Sequence, residues 1–175
     1  RVFPNTVFEV VLMGRRPYLG WSSGSANEEN VWDVLNLLGI EDMALRPFNE
    51  LSGGQQQKVL IARALAQDSG VILLDEPTSS LDIYHQIGVM DILQTLVKKR
   101  DLTVLIAIHD LNIAARYSDK IVMMKQGKIV ASGTPKTVMT EKNLGEIYGI
   151  SADIRLINGS PYVVPLGQIN QKAHR

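Results

Sequence analysis

Apolar residues along this chain follow two different periods, and the change falls near residue 70. Thr6–Met13 (TVFEVVLM) reads as a short apolar helix stopped by Gly14, with the Arg15-Arg16-Pro17 turn behind it. Tyr18–Gly24 is a Gly/Ser loop in which Tyr18, Leu19 and Trp21 look exposed. Ser25 and Glu28 have capping-box spacing, and Val31, Val34, Leu35 and Leu38 then recur at helical period until Gly39. This first third carries no strand signal and is expected to form a small helical subdomain over residues 1–50.

Beyond it the pattern turns α/β. Val71–Leu74 is a short, fully apolar strand of the kind buried between two layers, and Thr103–Ile108 is a second buried strand. Asp82–Lys99 between them reads as a helix with Ile83, Ile87, Met90, Leu93 and Val97 on its inward face. Asp110 can cap a helix running to Tyr117. Lys120–Met124 and Lys128–Ala131 flank Gln126-Gly127 as a hairpin. Thr134-Pro135 and Thr140 start two further helices, the second closing at Gly149. A strand pair is expected around Ile154–Ile157 and Tyr162–Val164. The reading is therefore three parts: 1–50 helical, 51–150 a signature helix with an α/β core portion, and 151–175 a strand pair with a tail.

Composition narrows the function classes. A length of 175 residues with 45% hydrophobic content suits a soluble core-bearing domain. Lys plus Arg equals Asp plus Glu at 18 each, so no basic excess points to nucleic acid. The absence of cysteine excludes disulfides and thiolate metal sites. No apolar run approaches the roughly 18–20 residues needed to span a bilayer. The amino end lacks the basic-then-apolar pattern of a secretory signal and starts with arginine, so a piece cut from a longer protein is the simplest expectation.

The chemistry concentrates in four places. Leu51-Ser52-Gly53-Gly54-Gln55 precedes an apolar-periodic run, so Ser52 should cap a helix and Gln55 should complete a capping box. Gly53 and Gly54 keep the first turn bare, letting an anion approach its unpaired N–H groups, although a plainly capped helix has the same letters. Val71–Leu74 delivers Asp75 and Glu76 to a strand's carboxyl end, where open α/β sheets place ligands. In a nucleotide site the first carboxylate would hold Mg²⁺ and the second would polarise the attacking water; an acidic turn is the bland alternative. Ser79–Asp82 lies between that strand and the next helix, which Asp82 should cap. His109 ends the second apolar strand in the place matching Glu76 on its neighbour. His85 and His174 acquire no role from chemistry. Arg15, Arg16, Lys98, Lys99 and Arg100 read as solvated surface. Val7, Phe8 and Leu12 read as core, while Tyr18 and Trp21 stay open between core and docking surface.

With LSGGQ, the acidic strand, the Asp82 loop and His109 in this order, the chain resembles the ABC transporter ATPase family, covering its later half almost end to end. Leu81–Gln86, His109–Asn112, Ile147–Ile150 and Pro161–Pro165 resemble the ATPases of iron–siderophore, haem and cobalamin importers. The implied fold is a P-loop NTPase-like cassette, incomplete here: the helical subdomain plus part of the RecA-like parallel sheet. The implied roles are these: Ser52, Gly53, Gly54 and Gln55 touch the γ-phosphate of ATP bound to the opposite subunit of a head-to-tail homodimer. Asp75 would hold Mg²⁺, Glu76 would act as general base, Asp82 would signal between the two sites, and His109 would be the γ-phosphate switch. Transmembrane permease subunits are the implied partners, with Tyr18, Leu19 and Trp21 as candidate contacts, and the inner face of the membrane the implied location. The resemblance lapses in one respect: no G-x-x-x-x-G-K-[ST] phosphate loop occurs in these residues. The chain alone is therefore expected neither to bind nor to hydrolyse ATP, and to repack its sheet or borrow a strand from a second copy. A soluble non-transport ABC ATPase, or a non-catalytic paralogue supplying LSGGQ in trans, are the competing expectations.

Overall fold

Helices and strands form where the two periods place them, in a computed structural model that describes residues 5–18, 24–79, 81–100 and 102–169. The chain divides into two units, one ending at Ala107 and the other beginning at Ile108.

In the first unit, α1 (Val7–Leu12) is capped by Thr6: the Glu9 N–H donates to the Thr6 hydroxyl, and the Thr6 N–H donates to the Glu9 carboxylate at 2.7 Å. A 3₁₀ turn over Met13–Tyr18 follows, then α2 (Gly24–Leu38) and α3 (Gly53–Leu65). Val7 and Val11 of α1, Val31 and Leu35 of α2, and Val59 and Ile61 of α3 are fully buried and make the core of the helical part. The box expected at Ser25 does not form, because α2 already begins at Gly24 and carries Ser25 inside its first turn. Leu19 and Trp21, and the side chain of Tyr18, lie outside the described residues.

Arg15 corrects the surface reading of the basic pair. It is half-buried, with Nε donating to Asn27 Oδ1 at 2.9 Å and Nη1 to the Ala66 carbonyl at 2.8 Å. One guanidinium thus satisfies a buried amide on α2 and an otherwise orphaned carbonyl at the end of α3.

The strand β1 (Val71–Asp75) pairs in parallel with β2 (Thr103–Ala107), Val71 opposite Thr103 and Asp75 opposite Ala107. The connection runs through α4 (Ile83–Arg100), whose Val89, Met90, Leu93 and Leu96 are buried. The parallel pair is as expected, but the full burial is not. Ile72 is buried, whereas Val71 and Leu73 are 55% and 70% exposed and Leu105 is 60% exposed. Side chains alternate across a strand, and one face of this pair is left without a covering layer among the described residues. The face drawn on α4 also shifts, since Ile83 is 74% exposed.

The second unit contains α5 (Leu111–Tyr117), the antiparallel pair β3 (Ile121–Lys125) and β4 (Lys128–Gly133), α6 (Pro135–Val138), α7 (Glu141–Tyr148), and the antiparallel pair β5 (Ile150–Ile157) and β6 (Ser160–Gln168). Its core is built from Ala114, Ala115, Ile121, Met123, Val138, Met139, Leu144, Ala152 and Val163. Asn158-Gly159 turns β5 into β6 with φ of 50° and 82°, the paired positive values a tight hairpin needs. The pair is longer than the sequence suggests. Pro161 and Pro165 stand inside β6, which a two-stranded ladder tolerates because alternate N–H positions face outward, where a missing donor costs nothing. Asn112 ties α5 to β6: its amide donates to the Val163 carbonyl at 3.2 Å and its oxygen accepts from the Val163 N–H at 2.7 Å.

Candidate functional site

The LSGGQ turn forms as its letters dictate. Leu51 is buried and anchors the approach, while Ser52 and Gly53 stand exposed. Ser52 adopts extended backbone, its hydroxyl accepts from the Gln55 N–H at 3.4 Å, and its own N–H donates to Gln55 Oε1 at 3.0 Å. Gln56, one residue on, reaches back to donate to the Leu51 carbonyl at 3.1 Å and steadies the entry loop. The capping box uses one first-turn N–H and leaves the glycine turn open to solvent on the Gly53 side.

Asp75 and Glu76 lie exposed at the carboxyl end of β1. Glu76 is held in left-handed backbone at φ 44°, a conformation a residue with Cβ adopts only when its surroundings impose it. Those surroundings are visible. The Glu76 N–H donates to the Ala107 carbonyl at 2.9 Å, extending the β1–β2 ladder one residue past the strand. The Glu76 carbonyl accepts from the Ser79 N–H at 3.2 Å and from the Ser79 hydroxyl at 3.1 Å. The backbone pins leave the two carboxylates at the ladder's end, where hard cations and phosphate oxygens are handled in such sheets. Among the described residues no three acidic or histidine side chains cluster into a metal cage. A lone exposed strand-end carboxylate still fits Mg²⁺, which is commonly held by one or two carboxylates together with phosphates and water.

The loop after Glu76 is tied down from α4. Thr78 is buried and its carbonyl accepts from Gln86 Nε2 at 3.0 Å. Asp82 accepts from the His85 N–H at 2.9 Å, and His85 Nδ1 lies 2.9 Å from both Asp82 carboxylate oxygens. His85 received no role from the sequence, yet its ring lies against the first turn of the LSGGQ helix: a Cβ placed on Gly54 would stand 2.3 Å from its Cδ2. The Asp82/His85 spacing of three was the available signal, since it places a carboxylate beside a ring nitrogen one turn into a helix. His109 is exposed in the segment joining β2 to α5 and begins the second unit with Ile108 and Asp110. Asp110 caps α5 by accepting from the Asn112 and Ile113 N–H groups at 2.9 and 3.0 Å.

The bonds from His85, first from its backbone N–H and then from its ring, hold the Asp82 carboxyl below its ordinary range. A depressed folded value means that this contact is fully present above the ordinary aspartate value of about 3.9 and is lost as pH falls through the lower one. The His85 backbone amide resonance is therefore expected to titrate with a midpoint below about 3.9; a midpoint at or above that value overturns the cap.

A parallel strand ending in paired carboxylates, a glycine-opened capped helix and a helical subdomain match the fold of solved ABC ATPase cassettes. Residues 1–79 match the ABC transporter family. The chain is 46% identical over 162 residues to an uncharacterized ABC transporter ATP-binding protein of Methanocaldococcus jannaschii, covering 93% of this chain and 63% of the relative. It is 40% identical over 169 residues to the ferric enterobactin transport ATP-binding protein of Escherichia coli K12, covering 93% of this chain and 62% of the relative. Its structure superposes with a TM-score of 0.84 and 29% identity on an inward-facing ABC transporter of the metal-chelate type, over 95% of this chain and 68% of that one. The chain thus matches the ABC transporter family over residues 1–79 and spans less than two thirds of the length of the curated relatives it matches. Among the described residues no helix is long and apolar enough to cross a membrane.

Proposed function

We propose that this chain supplies the signature helix, the magnesium carboxylate and the general base of an ATP-hydrolysing importer subunit for iron–siderophore or related metal chelates. The observation that carries the reading is Glu76, kept in left-handed backbone at the end of a parallel strand directly after Asp75. Asp75 would hold Mg²⁺ beside the nucleotide phosphates, and Mg²⁺ would supply charge neutralisation of the terminal phosphate. Glu76 would accept the proton of the attacking water. Ser52, Gly53, Gly54 and Gln55 would close on the γ-phosphate of ATP held by the opposite copy in a head-to-tail dimer, Asp82 would belong to the loop that signals between the two sites, and His109 would be the γ-phosphate switch. Permease subunits in the membrane would be the partners, the ATPase lying on the cytoplasmic side. The ferric enterobactin relative supports the chelate class.

These 175 residues contain no G-x-x-x-x-G-K-[ST] loop, so phosphate cradling must come from outside them. The experiment is reconstitution of the full-length protein with its permease in vesicles, reading phosphate release. Hydrolysis stimulated by a chelate-loaded binding protein is the expected result. A rate indifferent to the permease overturns the transport reading. For the 175-residue chain alone, an ATP dissociation constant in the micromolar range overturns its predicted incompetence.

A further inference from the structure

We propose that His85, oriented by Asp82, is a positioning residue that sets the place of the LSGGQ turn relative to the loop following the catalytic strand. The inference rests on the reading of Ser52–Gln55 as the phosphate-contacting turn, and it adds a side chain to which no role attaches in that reading.

Two anchors hold the imidazole. The Asp82 carboxylate accepts from the His85 backbone N–H at 2.9 Å, and its two oxygens lie 2.9 Å from ring Nδ1, so backbone and ring are tied to one group. With Nδ1 turned to Asp82, the opposite edge of the ring meets α3. A Cβ on Gly54 would fall 2.3 Å from Cδ2, 2.8 Å from Cγ and 3.1 Å from Nε2. Real side chains do not approach so closely, so the ring occupies the space that any residue other than glycine would fill. Leu81 does the same more loosely at the preceding position, with Cδ2 3.6 Å from where a Gly53 Cβ would stand. Tyr84 buttresses the ring edge-on, its centroid 5.3 Å away with planes at 88°.

Leu81 and His85 thus flank Asp82, the ring crowding Gly54 while Leu81 stays at ordinary contact distance from the Gly53 position. Gln86 fixes the same loop through the Thr78 carbonyl. A displacement of Asp82 must carry the His85 ring with it, and the ring cannot move toward α3 without displacing Gly54. The glycines therefore do two things: Gly53 leaves the turn open to a ligand, and Gly54 receives the imidazole.

The test has a structural arm and a kinetic arm. In the 175-residue chain, protons of Gly54 are expected to carry a ring-current shift that disappears in His85→Ala, and Gly54→Ala is expected to lower Tm far more with His85 present than in the His85→Ala background. Should Gly54→Ala fail to fold, the ring-current shift decides this arm by itself. Unchanged Gly54 shifts, or Tm losses that simply add, overturn the proposal. In the full-length protein with its permease, His85→Ala is expected to reduce kcat about tenfold or more while KM for ATP stays within about twofold, because it misplaces a group needed at the reacting phosphate rather than one that binds the nucleotide. Asp82→Asn, which keeps a hydrogen-bond acceptor for the ring, should retain more of kcat than Asp82→Ala. An unchanged kcat, or a fall in kcat matched by loss of ATP affinity, overturns the positioning role. A wild-type protein without hydrolysis removes the function reading and this role together, whereas an active wild type with no Gly54–His85 coupling removes only this role.

Discussion

Glu76→Gln in the full-length protein is expected to lower kcat for ATP hydrolysis by about 10²- to 10⁴-fold while leaving ATP bound at least as tightly. The substitution keeps the side chain's size and its hydrogen-bonding reach but removes the negative charge and the capacity to accept a proton. The backbone should not react to it. Glu76 sits at φ 44° because its N–H donates to the Ala107 carbonyl at 2.9 Å and its carbonyl accepts from Ser79 at 3.2 and 3.1 Å, all through main-chain atoms that glutamine shares. Strain of this kind costs about 1–3 kcal/mol and persists only where surrounding bonds impose it, so the carboxylate's position is a product of the β1–β2 ladder. Phosphate release and equilibrium ATP binding measured on the same preparation check the result. A loss smaller than about tenfold would mean that Glu76 is not the base.

The largest expected effect on stability comes from Gly14→Ala. A Cβ there would lie 2.2 Å from the Arg63 carbonyl oxygen, 3.1 Å from its carbon and 3.2 Å from the Ala66 Cβ. These are mostly backbone atoms of α3, which cannot rotate aside, so the crossing itself must open. Opening it also pulls Arg15 from the Ala66 carbonyl and from Asn27, which are bonded at 2.8 and 2.9 Å across the same junction. Overpacking at a rigid contact costs up to about 3 kcal/mol, and the lost bonds to a charged group add to it. Urea unfolding is expected to show a loss of about 3 kcal/mol or more. Gly88→Ala is the contrast: Gly88 lies within α4 with nothing within 4 Å of its would-be Cβ, so alanine should stabilise by about 0.5–1 kcal/mol through helix propensity. Equal effects at the two positions would refute the close crossing.

The parts of the site that were legible in the sequence are those decided by neighbours along the chain. The Ser52/Gln55 box needs only a hydroxyl, an amide three residues later and an apolar run behind them, and it forms as read. Asp110 caps α5 for the same reason. Gln126-Gly127 turns its hairpin as expected, with both residues at positive φ. The misses share a different cause. Arg15 belongs to a string of charges by sequence, and only the approach of α2 and α3 gives its guanidinium two partners. His85 has a partner visible three residues back, but its contact with Gly54 joins positions 31 apart in the chain and leaves no periodic trace. Ser25 is a local miss instead: α2 takes up helical geometry two residues earlier than the box requires.

By itself the sequence determined the order of elements, the helix caps at Ser52 and Asp110 and the delivery of Asp75 and Glu76 to the end of an apolar strand. All of these follow from local spacing: period, capping and turn chemistry act over a few residues. Tertiary structure alone decided that β1 and β2 bury one face only, with Leu73 at 70% and Leu105 at 60% exposure, because burial depends on which layers are present to cover a strand. It also decided the left-handed backbone of Glu76 and the seat of His85 on the LSGGQ helix. Both arise from contacts between segments distant in the chain, and sequence periodicity carries no information about those.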